Sequence, residues 1–131
     1  LIARGRRLRR MLGGMMRQVG ILAAAGLYAL DHHVERLAED HRRAAALAEA
    51  LSALPGVVLT PPQTNIVAFD LVAGHPALRR HGDRDQVAAA LAEAGVRLTA
   101  RPAGFRAVLH LDVDDSGLER AMAAFAQVLG S

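Results

Sequence analysis

The sequence contains no lysine and no cysteine. Without cysteine there is no disulfide and no thiolate metal site, which fits a reducing compartment, so the cytoplasm is the expected location. Without lysine, all 16 basic residues are arginine. The three serines, Ser52, Ser116 and Ser131, fall at helix ends or the terminus. No side chain therefore stands out as a nucleophile, and no catalytic residue is assigned within these residues. Tryptophan is absent and aromatics make up 3% of the chain. The opening Leu1-Ile2-Ala3-Arg4 has neither an initiator methionine nor a signal-peptide hydrophobic region, which leads us to expect a chain that begins inside a longer gene product. The longest apolar stretch, Val19 to Leu30, is about 12 residues, against the roughly 20 a membrane-spanning helix needs. No membrane partner is expected.

What remains is an ordinary globular composition. The 131 residues are 52% hydrophobic and 22% charged, enough for one modest core. The net charge of +3 is unevenly placed, because residues 1–17 hold six arginines and no acid. Clustered arginine can neutralise phosphates. That stretch carries no base-stacking aromatic, however, so nucleic acid is not an expected partner. Six histidines could suggest a metal, yet His32 and His33 are adjacent and no HExxH spacing occurs, so no metal is expected.

Along the chain, Arg4 to Arg10 reads as a short basic helix ending in a Gly13-Gly14 turn. Two proline-free runs, Met15 to Leu30 and His33 to Leu54, predict helices, the first more buried than the second. In the second, Val34, Leu37, Ala44, Ala48 and Leu51 share a face. Pro55-Gly56 stops it. Strands are predicted at Val57–Leu59 and Asn65–Asp70, followed by a loop from Ala73 to Gly82. Asp83 and Gln86 form a capping pattern for a helix through about Ala94. Two further strands, Val96–Ala100 and Phe105–Val113, flank the turn Arg101-Pro102-Ala103-Gly104. A last helix spans Ser116 to Leu129, capped by Asp114 or by the Ser116/Glu119 pair. The expected class is α+β, with helices on one face of a small, mostly antiparallel sheet. Residues 1–32 read as a helical arm and residues 33–131 as a small domain.

Two places could hold an anion. Gly13-Gly14-Met15-Met16-Arg17 could present backbone N–H groups and a guanidinium to a phosphate, or be a turn with a surface arginine. Arg106, at the start of an apolar strand, could grip a carboxylate with two parallel hydrogen bonds, or be a surface arginine at a strand end.

The segment Arg7-Leu8-Arg9-Arg10-Met11-Leu12-Gly13-Gly14-Met15-Met16-Arg17-Gln18, running into Gly20-Ile21-Leu22-Ala23-Ala24-Ala25-Gly26-Leu27-Tyr28-Ala29-Leu30, resembles the characteristic segment of low-specificity threonine aldolases. Leu37 to His41, Gln63 to Val67 and Arg106 to Val113 match the same family in the same order. The resemblance implies the carboxy-terminal small domain of an aspartate aminotransferase-like fold, preceded by a helical arm from the large domain. It implies an enzyme dependent on pyridoxal 5'-phosphate (PLP), acting on an amino acid as a homodimer or homotetramer. The implied reaction cleaves L-threonine or L-allo-threonine to glycine and acetaldehyde.

By the same resemblance, Arg17 and Arg10 contact the cofactor phosphate, Arg17 reaching it in the neighbouring subunit, and Arg106 binds the substrate carboxylate. Three positions depart from the family pattern: Met15 replaces a third glycine, Arg10 replaces a lysine, and Leu109 replaces a threonine next to His110. These are expected to crowd the phosphate approach, to keep the charge, and to remove a hydroxyl near the substrate strand. The family's cofactor-anchoring lysine falls upstream of residue 1, so this chain alone is expected to be inactive. The alternative is a catalytically inactive remnant that acts only in oligomerisation or interaction.

Overall fold

The computed structural model describes residues 1–130 and divides the chain into two compact units, Leu1–Arg36 and Leu37 onward. The division falls a few residues beyond the one read from the sequence. In the first unit, the arginine-rich opening winds into α1 (Ile2–Met11). Gly13 ends it at φ +78°, a left-handed conformation that glycine adopts without penalty. The Gly14 N–H then donates to the Arg9 carbonyl at 2.7 Å. A side chain at Gly14 would start 2.6 Å from Arg9 Cγ, so the turn needs both glycines.

The next helix, α2 (Gly20–His32), begins five residues later than expected from the sequence. Gln18, at φ 51°, interrupts any helical path from Met15. The expected ranking of burial is reversed. No residue of α2 is buried, and Ile21 is 86% exposed. Its side chains are apolar on all sides, so no single packed face could cover them. Near the end of the helix Tyr28 meets His32 at a tilt and His33 edge-on, with ring centroids at 4.3 and 5.6 Å.

The second unit runs α3 (Leu37–Ser52), β1 (Val57–Leu59), β2 (Ile66–Leu71), α4 (Pro76–His81), α5 (Arg84–Glu93), β3 (Thr99–Arg101), β4 (Gly104–Val108) and α6 (Asp115–Leu129). The four strands pair antiparallel in the order β1-β2-β4-β3. Helix α3 buries Ala44, Ala48 and Leu51 as the periodicity predicts, and Leu47 as well; Val34 and Leu37 stay exposed. The predicted loop from Ala73 to Gly82 contains α4. Buried His75 caps α4: its Nδ1 accepts from the Ala77 N–H and its Nε2 donates to the Pro55 carbonyl. A histidine before Pro-Ala is not a signal that sequence rules look for at a helix start.

Burial alternates along β2 and, from Phe105 onward, along β4. Val67, Phe69 and Leu71 on β2, with Phe105 and Ala107 on β4, face the helices, and Leu109 just beyond β4 continues the row. All three phenylalanines of the chain meet there: Phe69 stacks on Phe105 across the register at 5.0 Å, and Phe125 from α6 meets Phe69 edge-on at 5.7 Å. Aspartates cap the last two long helices, Asp83 accepting from the Gln86 N–H and Asp114 from the Gly117 N–H. For α6 this decides between the two caps that the sequence left open.

Candidate functional site

Because side chains alternate across a strand, the face opposite the phenylalanines is set by the same register. It carries Ala68 and Asp70 on β2, Gly104, Arg106 and Val108 on β4, and Thr99 and Arg101 on β3. Arg106 lies directly across from Ala68 on one side and from Thr99 on the other. Arg106 is half-buried there, and its Nε is shielded from solvent without a hydrogen-bond partner. A sheltered donor without an acceptor is costly, which is a reason to expect a ligand oxygen to complete it.

The one acid on this face is already committed. Asp70 Oδ1 and Oδ2 each accept from Arg84 at 2.8 Å, a two-pronged pair that ties the end of β2 to the start of α5. The hydrogen bonds from Arg84 hold the Asp70 carboxyl below its ordinary range, opposed by partial burial and helped by the Leu71 N–H. A carboxyl depressed in the fold contributes stability above its unfolded pKa and loses that contribution as pH falls through the folded value. Asp70→Asn is therefore expected to lower the melting temperature at neutral pH. The gap to the native protein should close as pH drops below about 4, where an unfolded aspartate protonates. Thermal melts of both proteins across that range check this; a gap independent of pH would contradict it. The pair was missed in the sequence because its members lie 14 residues apart on different elements.

Arg10 and Arg17 belong to the first unit and Arg106 to the second. Arg17 is exposed, has no ion-pair partner among the described residues, and stands three positions before the start of α2, whose first N–H groups have no side-chain cap. Arg10 Nε donates to Met15 Sδ at 2.9 Å. Met15 thus fills the turn by touching the neighbouring guanidinium and leaves the terminal nitrogens of Arg10 available. Leu109 lies just beyond β4. Its side chain is 5% exposed and faces the helices, on the opposite side of the sheet from Arg106. Its backbone is clasped by Asn65, whose side chain donates to the Leu109 carbonyl at 2.6 Å while the Leu109 N–H donates to the Asn65 carbonyl at 2.9 Å.

The histidines do not cluster with acids in any group of three able to hold a metal among the described residues. No helix among them is long and apolar enough to cross a membrane. A cavity of about 550 Å³ opens between α5, α6 and the end of β4, lined by Leu47, Phe125, Arg97 and Arg120. It does not include Arg106.

Comparison with known proteins places these features. The probable low-specificity L-threonine aldolase 2 of Arabidopsis thaliana is 35% identical over 99% of this chain and 36% of its own length. The low specificity L-threonine aldolase of Escherichia coli K12 is 41% identical over 93% of this chain and 34% of its own length. The chain thus spans about a third of the length of these curated relatives. A solved structure of a C-DES mutant, with glycine covalently linked to its PLP cofactor, superposes on 83% of this chain and 28% of that one, with a TM-score of 0.62 at 23% identity, a likeness of fold. The sequence profile of the beta-eliminating lyases matches residues 1–74, more than half of the chain. The chain therefore belongs to the beta-eliminating lyase family, and it contains the small carboxy-terminal domain of the aspartate aminotransferase-like fold.

Proposed function

We propose that this chain supplies the substrate-side part of a PLP-dependent threonine aldolase that cleaves L-threonine or L-allo-threonine to glycine and acetaldehyde. The observation that carries the reading is Arg106, a half-buried guanidinium on an open sheet face with a sheltered, unpartnered Nε and no acid left to neutralise it. A planar fork of that kind matches an α-carboxylate held by two parallel hydrogen bonds. Fixing the carboxylate fixes the rotation of the amino acid about Cα, and so selects which bond is aligned for cleavage. Val108 and Ala68 beside it give the substrate an apolar floor, which strengthens the ion pair by excluding water.

The phosphate end of the cofactor suits Arg17 and Arg10. Both guanidiniums retain free N–H donors, and the uncapped start of α2 adds backbone N–H groups and a favourable helix dipole. PLP, when bound, supplies the conjugated ring that takes up the electrons of the breaking Cα–Cβ bond. Since the family's Arg17 equivalent serves the neighbouring subunit, we read the assembly as a cytoplasmic homodimer or homotetramer.

The complete polypeptide, upstream region included, is expected to show PLP absorbance and to release acetaldehyde from threonine. Absence of both would leave the reading of an inactive interaction domain. In the active protein, Arg17→Ala is expected to weaken PLP retention by about 10- to 100-fold, the loss typical of one charge-assisted contact, while changing the threonine KM far less. Cofactor release under dialysis and KM at saturating PLP measure the two effects separately. A variant that keeps its cofactor and loses threonine affinity would remove Arg17 from the phosphate.

A further inference from the structure

A second guanidinium sits beside the first. The register pairs Thr99 with Arg106 and Arg101 with Gly104, so Arg101 is the diagonal neighbour of Arg106 on the adjoining strand. Within β3, Ala100 packs against the core while Thr99 and Arg101 are exposed, which puts Arg101 on the same open face as Arg106. Diagonal pairs on a sheet have Cβ atoms about 7–8 Å apart, within reach of two arginine side chains. The floor between them is low. The residue opposite Arg101 is Gly104 and the one opposite Arg106 on β2 is Ala68, so neither contributes bulk. Gly104 could hardly be anything else: it has φ +114°, and a Cβ there would lie 2.4 Å from the Phe69 carbonyl.

Two positive charges this close repel each other unless an anion lies between them. Here the only acid on the face, Asp70, is bonded through both oxygens to Arg84. Neither Arg101 nor Arg106 has an ion-pair partner among the described residues. The open face therefore presents two guanidiniums with no counter-charge among the described residues.

We propose that this open face binds a dicarboxylate, and that the preferred substrate is a β-hydroxy-α-amino acid whose side chain ends in a second carboxylate. Arg106 takes the α-carboxylate and Arg101 the distal one, with the Thr99 hydroxyl between them. The inference rests on the aldolase reading for its chemistry. The Cα–Cβ bond breaks and the β-hydroxyl proton passes to a base. The hydroxyl-bearing carbon becomes the aldehyde of a two-carbon oxo acid, and Cα gains a proton to give glycine. 3-Hydroxyaspartate divides in this way into glycine and glyoxylate, with no oxidant or further reactant needed.

The test uses the complete polypeptide with PLP. Its kcat/KM for 3-hydroxyaspartate should exceed that for threonine by about tenfold or more, and Arg101→Gln should reduce that ratio by about 10- to 100-fold, the scale of one charge-assisted contact. Calorimetry supplies a readout apart from turnover. Succinate should bind the native protein at least about tenfold more tightly than butyrate, a difference that Arg101→Gln abolishes. Equal efficiency on the two substrates, or a ratio unchanged by Arg101→Gln, overturns the proposal. If no hydroxy amino acid is cleaved at all, the aldolase reading fails by itself. The succinate and butyrate affinities then still decide the paired-arginine site, and equal affinities overturn it.

Discussion

Replacing Arg106 with alanine in the complete enzyme is expected to lower kcat/KM for its amino acid substrate by about 10²- to 10³-fold, most of it through KM. The estimate follows from truncating one partner of a sheltered charge pair, which costs about 2–5 kcal/mol because the other charge is left without its counterpart. The geometry argues for the upper part of that range. Arg106 Nε has no hydrogen-bond partner among the described residues, and Ala68 and Thr99, the residues flanking it in the register, offer no charge that could substitute. Arg106→Lys should recover only part of the loss, since an ammonium cannot make two coplanar bonds to a carboxylate. Steady-state kinetics at saturating PLP, with cofactor affinity measured in parallel, separate the outcomes. If Arg106→Ala chiefly weakened PLP and spared the substrate KM, the carboxylate would have to be held elsewhere.

Phe125→Ala is expected to destabilise the second unit by about 3–5 kcal/mol, the usual cost of removing a buried phenyl ring and leaving its cavity. Phe125 is 1% exposed and lies edge-on to Phe69, which in turn stacks on Phe105. One ring from α6 thus anchors the helix layer to both central strands. Aromatic contacts of this geometry add about 0.5–1.5 kcal/mol beyond the area they bury. Against a typical domain stability of about 5–15 kcal/mol, the substitution leaves the unit marginal. Phe125→Leu should cost much less, because it keeps most of the apolar volume. Urea denaturation followed by circular dichroism measures both. A loss below about 1 kcal/mol for the alanine variant would mean that the helix layer is held by other contacts.

Much of the second unit was legible in the sequence because its signals are local. Pro55-Gly56 stopped α3, Asp83 and Asp114 announced the helices that start right after them, and Pro102 between Arg101 and Gly104 marked the hairpin. The β-branched and aromatic run around Phe69 declared the strand that became β2. The errors came where the deciding contact was distant. Helix α4 depends on His75 reaching the Pro55 carbonyl twenty residues back. The predicted strand from Val96 shrank to Thr99–Arg101, a matter of where pairing with β4 stops.

Site residues divide in the same way. Arg106 could be singled out as an isolated charge heading an apolar strand. Arg101 could not, because only the strand register shows which face it shares and with whom. The side that Leu109 faces likewise follows from the register, since neighbours in sequence within a strand look in opposite directions. Burial of α2 was misjudged because apolar composition reports the surroundings a helix requires, and the described residues of this chain do not supply them.

That opposition of neighbours gives β4 a parity. Arg106 and Val108 turn to the open face, and the odd-numbered 105, 107 and 109 are in oil. A frame of one residue separates a guanidinium on the open face from a guanidinium thrust among phenyl rings. Lengthening the strand by a single amino acid between Phe105 and Arg106 would thus be more damaging than many substitutions of either residue, since it would ask every later side chain of the strand to exchange water for core at once.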